Sequence, residues 1–178
     1  MKPKKNPKNY TDGFVSSSQQ AIHMQPIGVV HSPFKERFAA PRQAELNSGV
    51  QARIVLDAGF NFEQALSDLH TFTHIWVLYW MHLNQGWNPT VMPPRGSEDV
   101  RRGLFSTRAP HRPNSIGLSV VSLKKIEKRT LWIEGLDMLD GTPVLDIKPY
   151  LPYADCIEHA SHGWLDPDTA FQYPNRTP

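Results

Sequence analysis

The longest apolar run in the chain is Thr73–His82, THIWVLYWMH. Its β-branched and aromatic residues suit a buried strand. It is far too short for a membrane helix, which needs about 20 apolar residues. Around it, 16 prolines and 11 glycines cut the chain into short pieces. A strand in that setting must pair with other short strands. Ile27–His31, Ala52–Asp57, Gly117–Val121, Thr130–Ile133 and Pro143–Ile147 are the candidates. Turn signals such as Arg112-Pro113-Asn114 and Asp140-Gly141 separate them. Only Phe62–Leu69 reads as a helix, with Asn61 as its N-cap. The expected fold is mostly β: a small single-domain β-barrel with one or two short helices.

The chain has 178 residues and 39% apolar content, enough for one domain with a sizeable core. Residues 1–24 read as a flexible basic tail carrying Lys2, Lys4, Lys5 and Lys8. Residues 166–178 read as a second polar tail, leaving 25–165 as the barrel domain. The first residues lack the apolar stretch of a secretory signal. The single cysteine, Cys156, excludes an intramolecular disulfide and a multi-cysteine metal site. A cytoplasmic location, with no membrane and no metal, is the expectation. Net charge is only +2, but residues 1–133 carry +8 and residues 134–178 carry −6. That polarity suits a polyanionic partner on one side, or simply a mixed solvated surface.

Familiar catalytic motifs are missing. There is no GxGxxG, no GxxxxGK[ST] and no GxSxG. His70 and His74 stand four apart but lack the glutamate of a zinc-protease helix, and His74 falls where the long strand begins. His159, His162 and Cys156 sit in polar stretches with no activating partner nearby in sequence.

One segment stands apart: residues 101–117, RRGLFSTRAPHRPNSIG. Arg101, Arg102, Arg108 and Arg112 crowd it, with His111 and Asn114 among them. Pro110 and Pro113 restrict the backbone, so the loop can aim its side chains. Gly103 and Gly117 allow close approach or positive φ. Guanidinium groups bind carboxylate or phosphate bidentately. The loop suits a small anionic ligand, a nucleic-acid backbone, or both; the plainer alternative is a solvated basic turn. Arg37 and Arg42 flank Pro41 in a second basic segment, FKERFAAPRQ. A third segment brings Asp137, Asp140 and Asp146 together around the Asp140-Gly141 turn, then leaves through Lys148-Pro149-Tyr150-Leu151-Pro152-Tyr153.

These segments together resemble the TsaA-like (TrmO/YaeB) family of S-adenosylmethionine-dependent tRNA methyltransferases. The matching stretches are IGVVHSPFKERFAAPRQ (27–43), FTHIWVLYWMH (72–82), GWNPTVMPPR (86–95), GLFSTRAPHRPNSIGLS (103–119) and DGTPVLDIKPYLP (140–152). They span about residues 25–155. Each motif alone is weak, and the set is specific. The resemblance implies a β-barrel unlike the Rossmann methyltransferases. It implies a homodimer with the cofactor near the subunit interface. The implied reaction moves a methyl group from S-adenosylmethionine to N6 of threonylcarbamoyladenosine, just 3′ of the anticodon.

The same resemblance implies cofactor contacts at Pro41, Arg42 and Gln43, at His82 and Leu83, at Arg108 and Leu118, and at Glu134, Gly135, Leu136 and Asp137. Asp137 and Asp140 are the candidates for taking the N6 proton; Asp137 has the competing role of holding the cofactor. Arg101, Arg102, Arg112, Asn114, Lys148 and Tyr150 are the candidates for the tRNA anticodon loop. The sequence departs from the family at Ser115, where a second proline is usual, and at Leu83, often glutamine. Bacterial members often carry a further C-terminal domain, so a short form or a shortened chain is expected here. The competing class is a non-catalytic β-barrel that binds RNA or a nucleotide metabolite. The long apolar strand can bury its surface inside the barrel or between subunits.

Overall fold

A computed structural model of the chain describes residues 21–36, 38–44, 49–93 and 100–165. Residues 1–20, with their four lysines, and residues 166–178 lie outside the described residues, as do Arg37 and Arg95. The barrel strands are β1 (Gly28–His31), β2 (Gln51–Leu56), β3 (His74–Trp80), β6 (Ile116–Glu127), β7 (Thr130–Glu134) and β8 (Pro143–Pro149). They close in the order β1-β2-β7-β6-β3-β8, with every pairing antiparallel. A small ribbon of β4 (Thr90–Val91) and β5 (Arg102–Gly103) stands beside it. The mostly β barrel expected from the sequence is the fold observed.

Alternation along β3 sets the inside from the outside. Ile75, Val77 and Tyr79 are buried in the barrel, whereas Trp76, Leu78 and Trp80 face out. Val30, Ile54, Val121, Leu131, Ile133 and Val144 complete the core from the other strands. The segment after β7 closes one end. Leu136 and Met138 are fully buried in the core from that segment. Backbone bonds pin it: Gly135 N–H donates to Val50 (3.1 Å), Asp140 N–H to Phe34 (2.8 Å) and Gly141 N–H to Val30 (2.9 Å). Gly141 takes the positive φ of 76° that the Asp140-Gly141 turn requires.

Three local expectations change. The strand expected to end at Val121 continues to Glu127. Its polar half forms a two-residue hairpin with β7, in which Glu127 faces Thr130 and Lys128 takes φ 53°. The expected helix 62–69 is one turn, α1 (Phe62–Ala65), followed by a 3-10 turn at Leu69–Thr71. Asp68 in the left-handed region breaks it. Asn61 sits at the cap position but caps nothing: its amide donates to Gln64 Oε1 at 2.7 Å. A further one-turn helix, α2 (Pro152–Asp155), follows β8.

Gly117 is needed for close approach. It faces Tyr79 across β3 and β6, and a Cβ there would fall into the Tyr79 ring. Gly117→Ala is therefore expected to destabilise the fold by about 1–3 kcal/mol. Thermal unfolding of the variant checks this, and a melting temperature equal to wild type would mean the ring can move aside freely.

Candidate functional site

The barrel end closed by Leu136 and Met138 gathers most of the expected cofactor residues. Tyr79 and Ser119 point inward from β3 and β6 near that end, and Asp137 meets them from the closing segment. Ser119 Oγ donates to Asp137 Oδ1 at 2.6 Å, and the Tyr79 hydroxyl reaches the same oxygen at 3.5 Å. Tyr79 and Ser119 also share a hydrogen bond of 3.2 Å. The Ala44 backbone N–H donates to the Asp137 carboxylate as well. Ala44 directly follows Pro41, Arg42 and Gln43, so that motif is brought against Asp137. Arg108 Nη1 in turn donates to Gln43 Oε1 at 3.5 Å. Three segments distant in sequence thus converge on one carboxylate.

Burial dominates the electrostatics. It pushes the Asp137 carboxyl above its ordinary value, although the bonds from Ser119, Tyr79 and Ala44 pull the other way. Tyr79 is pushed far up, first by burial and then by the Asp137 charge, so its hydroxyl stays a donor. A carboxylate of this kind accepts a proton readily and attracts a cation strongly.

The other acidic residues separate from it. Asp140 Oδ1 accepts the Ser32 backbone N–H at 3.0 Å and lies 3.9 Å from His31 Nδ1. It holds the start of the 32–44 loop. Asp146 pairs with Lys148 at 2.8 Å on β8. The cluster read from the sequence is three separate environments.

The remaining cofactor candidates divide by exposure. Leu118 is 55% exposed and Leu83 65% exposed, and both are free to touch a ligand. Arg42, Gln43 and Arg108 are also exposed, and Pro41 and His82 are half-buried. Glu134 is held by Lys124 at 3.0 Å. Leu136 is fully buried in the core, so only its backbone and that of Gly135 can face a ligand.

The arginine loop is built differently from its sequence reading. Arg101 donates to Thr90 Oγ1 (2.9 Å) and to the Thr90 carbonyl (2.7 Å), stapling β4 to β5. Arg112 donates to the carbonyls of Thr107 (3.0 Å) and Ala109 (3.3 Å) and lies over the Phe105 ring. Arg102 lies 5.0 Å from the Trp164 ring, and the Trp164 indole donates to the Ser106 carbonyl at 2.9 Å. Three of the four guanidiniums therefore hold the loop together. Asn114 is exposed in the same loop. Lys148 and Tyr150 are not brought to this end. Lys148 faces Trp76, and Tyr150 packs on Trp76 and His74 near the start of β3.

Sequence reading missed Tyr79, Ser119 and Ala44. Tyr79 and Ser119 read as ordinary inward strand positions. Their signal was available only through pairing: Tyr79 faces Gly117, and Ser119 is a buried polar residue needing a partner. Among the described residues no three His, Cys, Asp or Glu side chains are grouped to hold a metal.

The profile of the tRNA-methyltransferase O N-terminal domain matches residues 29–156. The chain is 43% identical over 150 residues to a tRNA (adenine(37)-N6)-methyltransferase of Escherichia coli strain K12, a match covering 81% of this chain and 64% of that protein. It is 42% identical over 134 residues to an S-adenosyl-L-methionine-binding protein of Archaeoglobus fulgidus, covering 75% of this chain and 93% of that one. The crystal structure of TrmO from Pseudomonas aeruginosa superposes with a TM-score of 0.68 at 42% identity, covering 81% of this chain and 62% of that one. The chain thus spans just under two thirds of the Escherichia coli and Pseudomonas relatives.

The Asp137 site makes a prediction about pH. Its carboxyl is raised in the fold, so the folded state holds its proton more tightly than the unfolded chain does. Stability from this group is then greatest at low pH and declines as pH rises through the raised value. Asp137→Asn should raise the melting temperature at pH 7, with the gain shrinking as pH falls toward 3.8, the ordinary aspartate value. Thermal melts across that range check it; a variant less stable than wild type at pH 7 would contradict it.

Proposed function

The chain belongs to the tRNA-methyltransferase O family, and on that footing we propose that it transfers a methyl group from S-adenosylmethionine to N6 of threonylcarbamoyladenosine beside the tRNA anticodon. The observation that carries this reading is the convergence of the Gln43–Ala44 segment, Arg108 and Asp137 at one barrel end. The donor set fits the cofactor. A buried carboxylate attracts a cationic ligand, exposed Leu83 and Leu118 offer apolar surface for a purine, and Arg42 and Arg108 can pair with a carboxylate. The near-complete coverage of the Archaeoglobus fulgidus protein, named for S-adenosylmethionine binding, supports a complete cofactor unit here.

The bound cofactor supplies a methyl group activated on a sulfonium sulfur. The protein's own work is positioning and proton handling. Asp137 takes the proton that the target N6 releases, since burial raises its affinity for protons above that of an ordinary aspartate. Ser119 and Tyr79 hold its carboxylate in place through donors that stay protonated. Asp140 positions the 32–44 loop through Ser32 rather than acting on the substrate. Arg108 and Arg42 receive the carboxylates of cofactor and threonyl group. Arg101, Arg102 and Arg112 act on tRNA mainly by keeping the loop rigid.

The active form in this reading is a homodimer. Trp80 and Ile116 face each other on the outer wall, as do Leu78 and Leu118. Trp80 is 48% exposed, and with Leu118 it makes an apolar stripe beside the site. A second subunit on that stripe would cover the cofactor. A cytoplasmic location accompanies a tRNA substrate, and no helix among the described residues is long and apolar enough to cross a membrane.

Purified protein, S-adenosylmethionine and threonylcarbamoylated tRNA should yield that nucleoside with one methyl mass added. Arg108→Ala should weaken cofactor binding by roughly ten- to a hundredfold with the fold intact. Cofactor binding without methyl transfer to any tRNA would favour the non-catalytic binding module. Leu118→Glu should shift the mass measured by light scattering from dimer to monomer and weaken cofactor binding with it. A wild-type monomer that binds the cofactor fully would overturn the dimer.

A further inference from the structure

We propose that the outer wall of β1, β2 and β7 is a second RNA-contact surface, one that stacks and neutralises the unpaired nucleotides next to the target. This rests on the tRNA substrate proposed above. The strand register builds the surface: His31 faces Arg53, Arg53 faces Trp132, and Trp132 faces Lys125. Directly paired residues share a face of the sheet. Val30, Ala52, Ile54, Leu131 and Ile133 point into the barrel, so the row points out. Four adjacent strands lie about 4.8 Å apart, which makes the row about 14 Å long, on the order of a few nucleotides.

Its chemistry is that of a base-stacking site. The Arg53 guanidinium lies 5.9 Å from the Trp132 ring centre. Beside them is a shallow hollow of about 280 Å³ between His31, Arg53 and Trp132. The other charges on this wall are matched: Lys124 with Glu134, Lys125 with Glu127, and His31 near Asp140. Among the described residues Arg53 has no carboxylate partner, only the indole. An unneutralised guanidinium beside an aromatic face suits a phosphate and a base together.

The placement fits an anticodon loop. The row begins at His31, 3.9 Å from Asp140, which lies on the same closing segment as Asp137. It therefore starts at the rim of the candidate site. In the closed strand order β2 lies across the barrel from β3. The part of the row on β1 and β2 thus stays open when the β3–β6 stripe is covered by a second subunit.

The test is a binding titration of tRNA at several salt concentrations, with a parallel S-adenosylmethionine titration. Trp132→Ala should weaken tRNA binding about tenfold, and Trp132→Phe should restore most of it. Arg53→Ala should reduce the slope of log affinity against log salt by about one. Both should leave cofactor binding unchanged. Wild-type tRNA affinity and salt slope in folded Arg53→Ala and Trp132→Ala proteins would overturn the proposal alone. A wild-type protein that binds cofactor but no tRNA would overturn the substrate reading and this surface with it.

Discussion

One buried carboxylate ties the core to the site. Taking a charged carboxylate out of water is costly unless hydrogen bonds replace the solvent. Asp137 is served by Ser119, Tyr79 and the Ala44 N–H. Each donor depends on a separate part of the fold. Tyr79 reaches its place because Gly117 leaves room for the ring. Asp137 reaches its place because Leu136 and Met138 anchor the segment on either side of it in the core. The 32–44 loop is held near by Asp140 and by the Ser32 hydroxyl, which donates to the Met138 carbonyl at 2.9 Å. Disturbing any of these leaves the same charge poorly solvated.

The barrel was legible because strand patterning is a local signal. The β-branched and aromatic run Thr73–His82 reads directly as a strand, although apolar residues on both of its faces do not tell that Ile75, Val77 and Tyr79 are the buried ones. The polar half of β6 was not legible, since Lys124–Glu127 offer a single apolar residue, Ile126, and gain their strand from the β7 hairpin. The short helix failed for a similar reason: its apolar spacing is helical, but left-handed Asn61 and Asp68 confine it to one turn.

The candidate site is legible in the sequence as separate motifs and not as a network. Sequence spacing puts Asp137, Asp140 and Asp146 close together around the turn, yet the strand that begins at Pro143 carries Asp146 away from it. The arginine loop was read as offering its charges outward. Side chains of that length reach back to carbonyls a few residues away as easily as to solvent. Arg112 does so at Thr107 and Ala109, and Arg101 at Thr90. Nothing in residue type distinguishes the two uses. Lys148 and Tyr150 follow the acidic turn in sequence but sit at the start of β3, where Tyr150 stacks in an aromatic group with Trp76 and His74.

The internally bonded loop has a thermodynamic consequence. A loop that orders only around its ligand spends part of the binding energy on lost conformational entropy. Here that ordering is completed during folding, by Arg101, by Arg112 and by Trp164 from beyond α2. On the function proposed above, a ligand arriving at the described part of this loop finds it already ordered, so that little of its binding energy goes into fixing these residues.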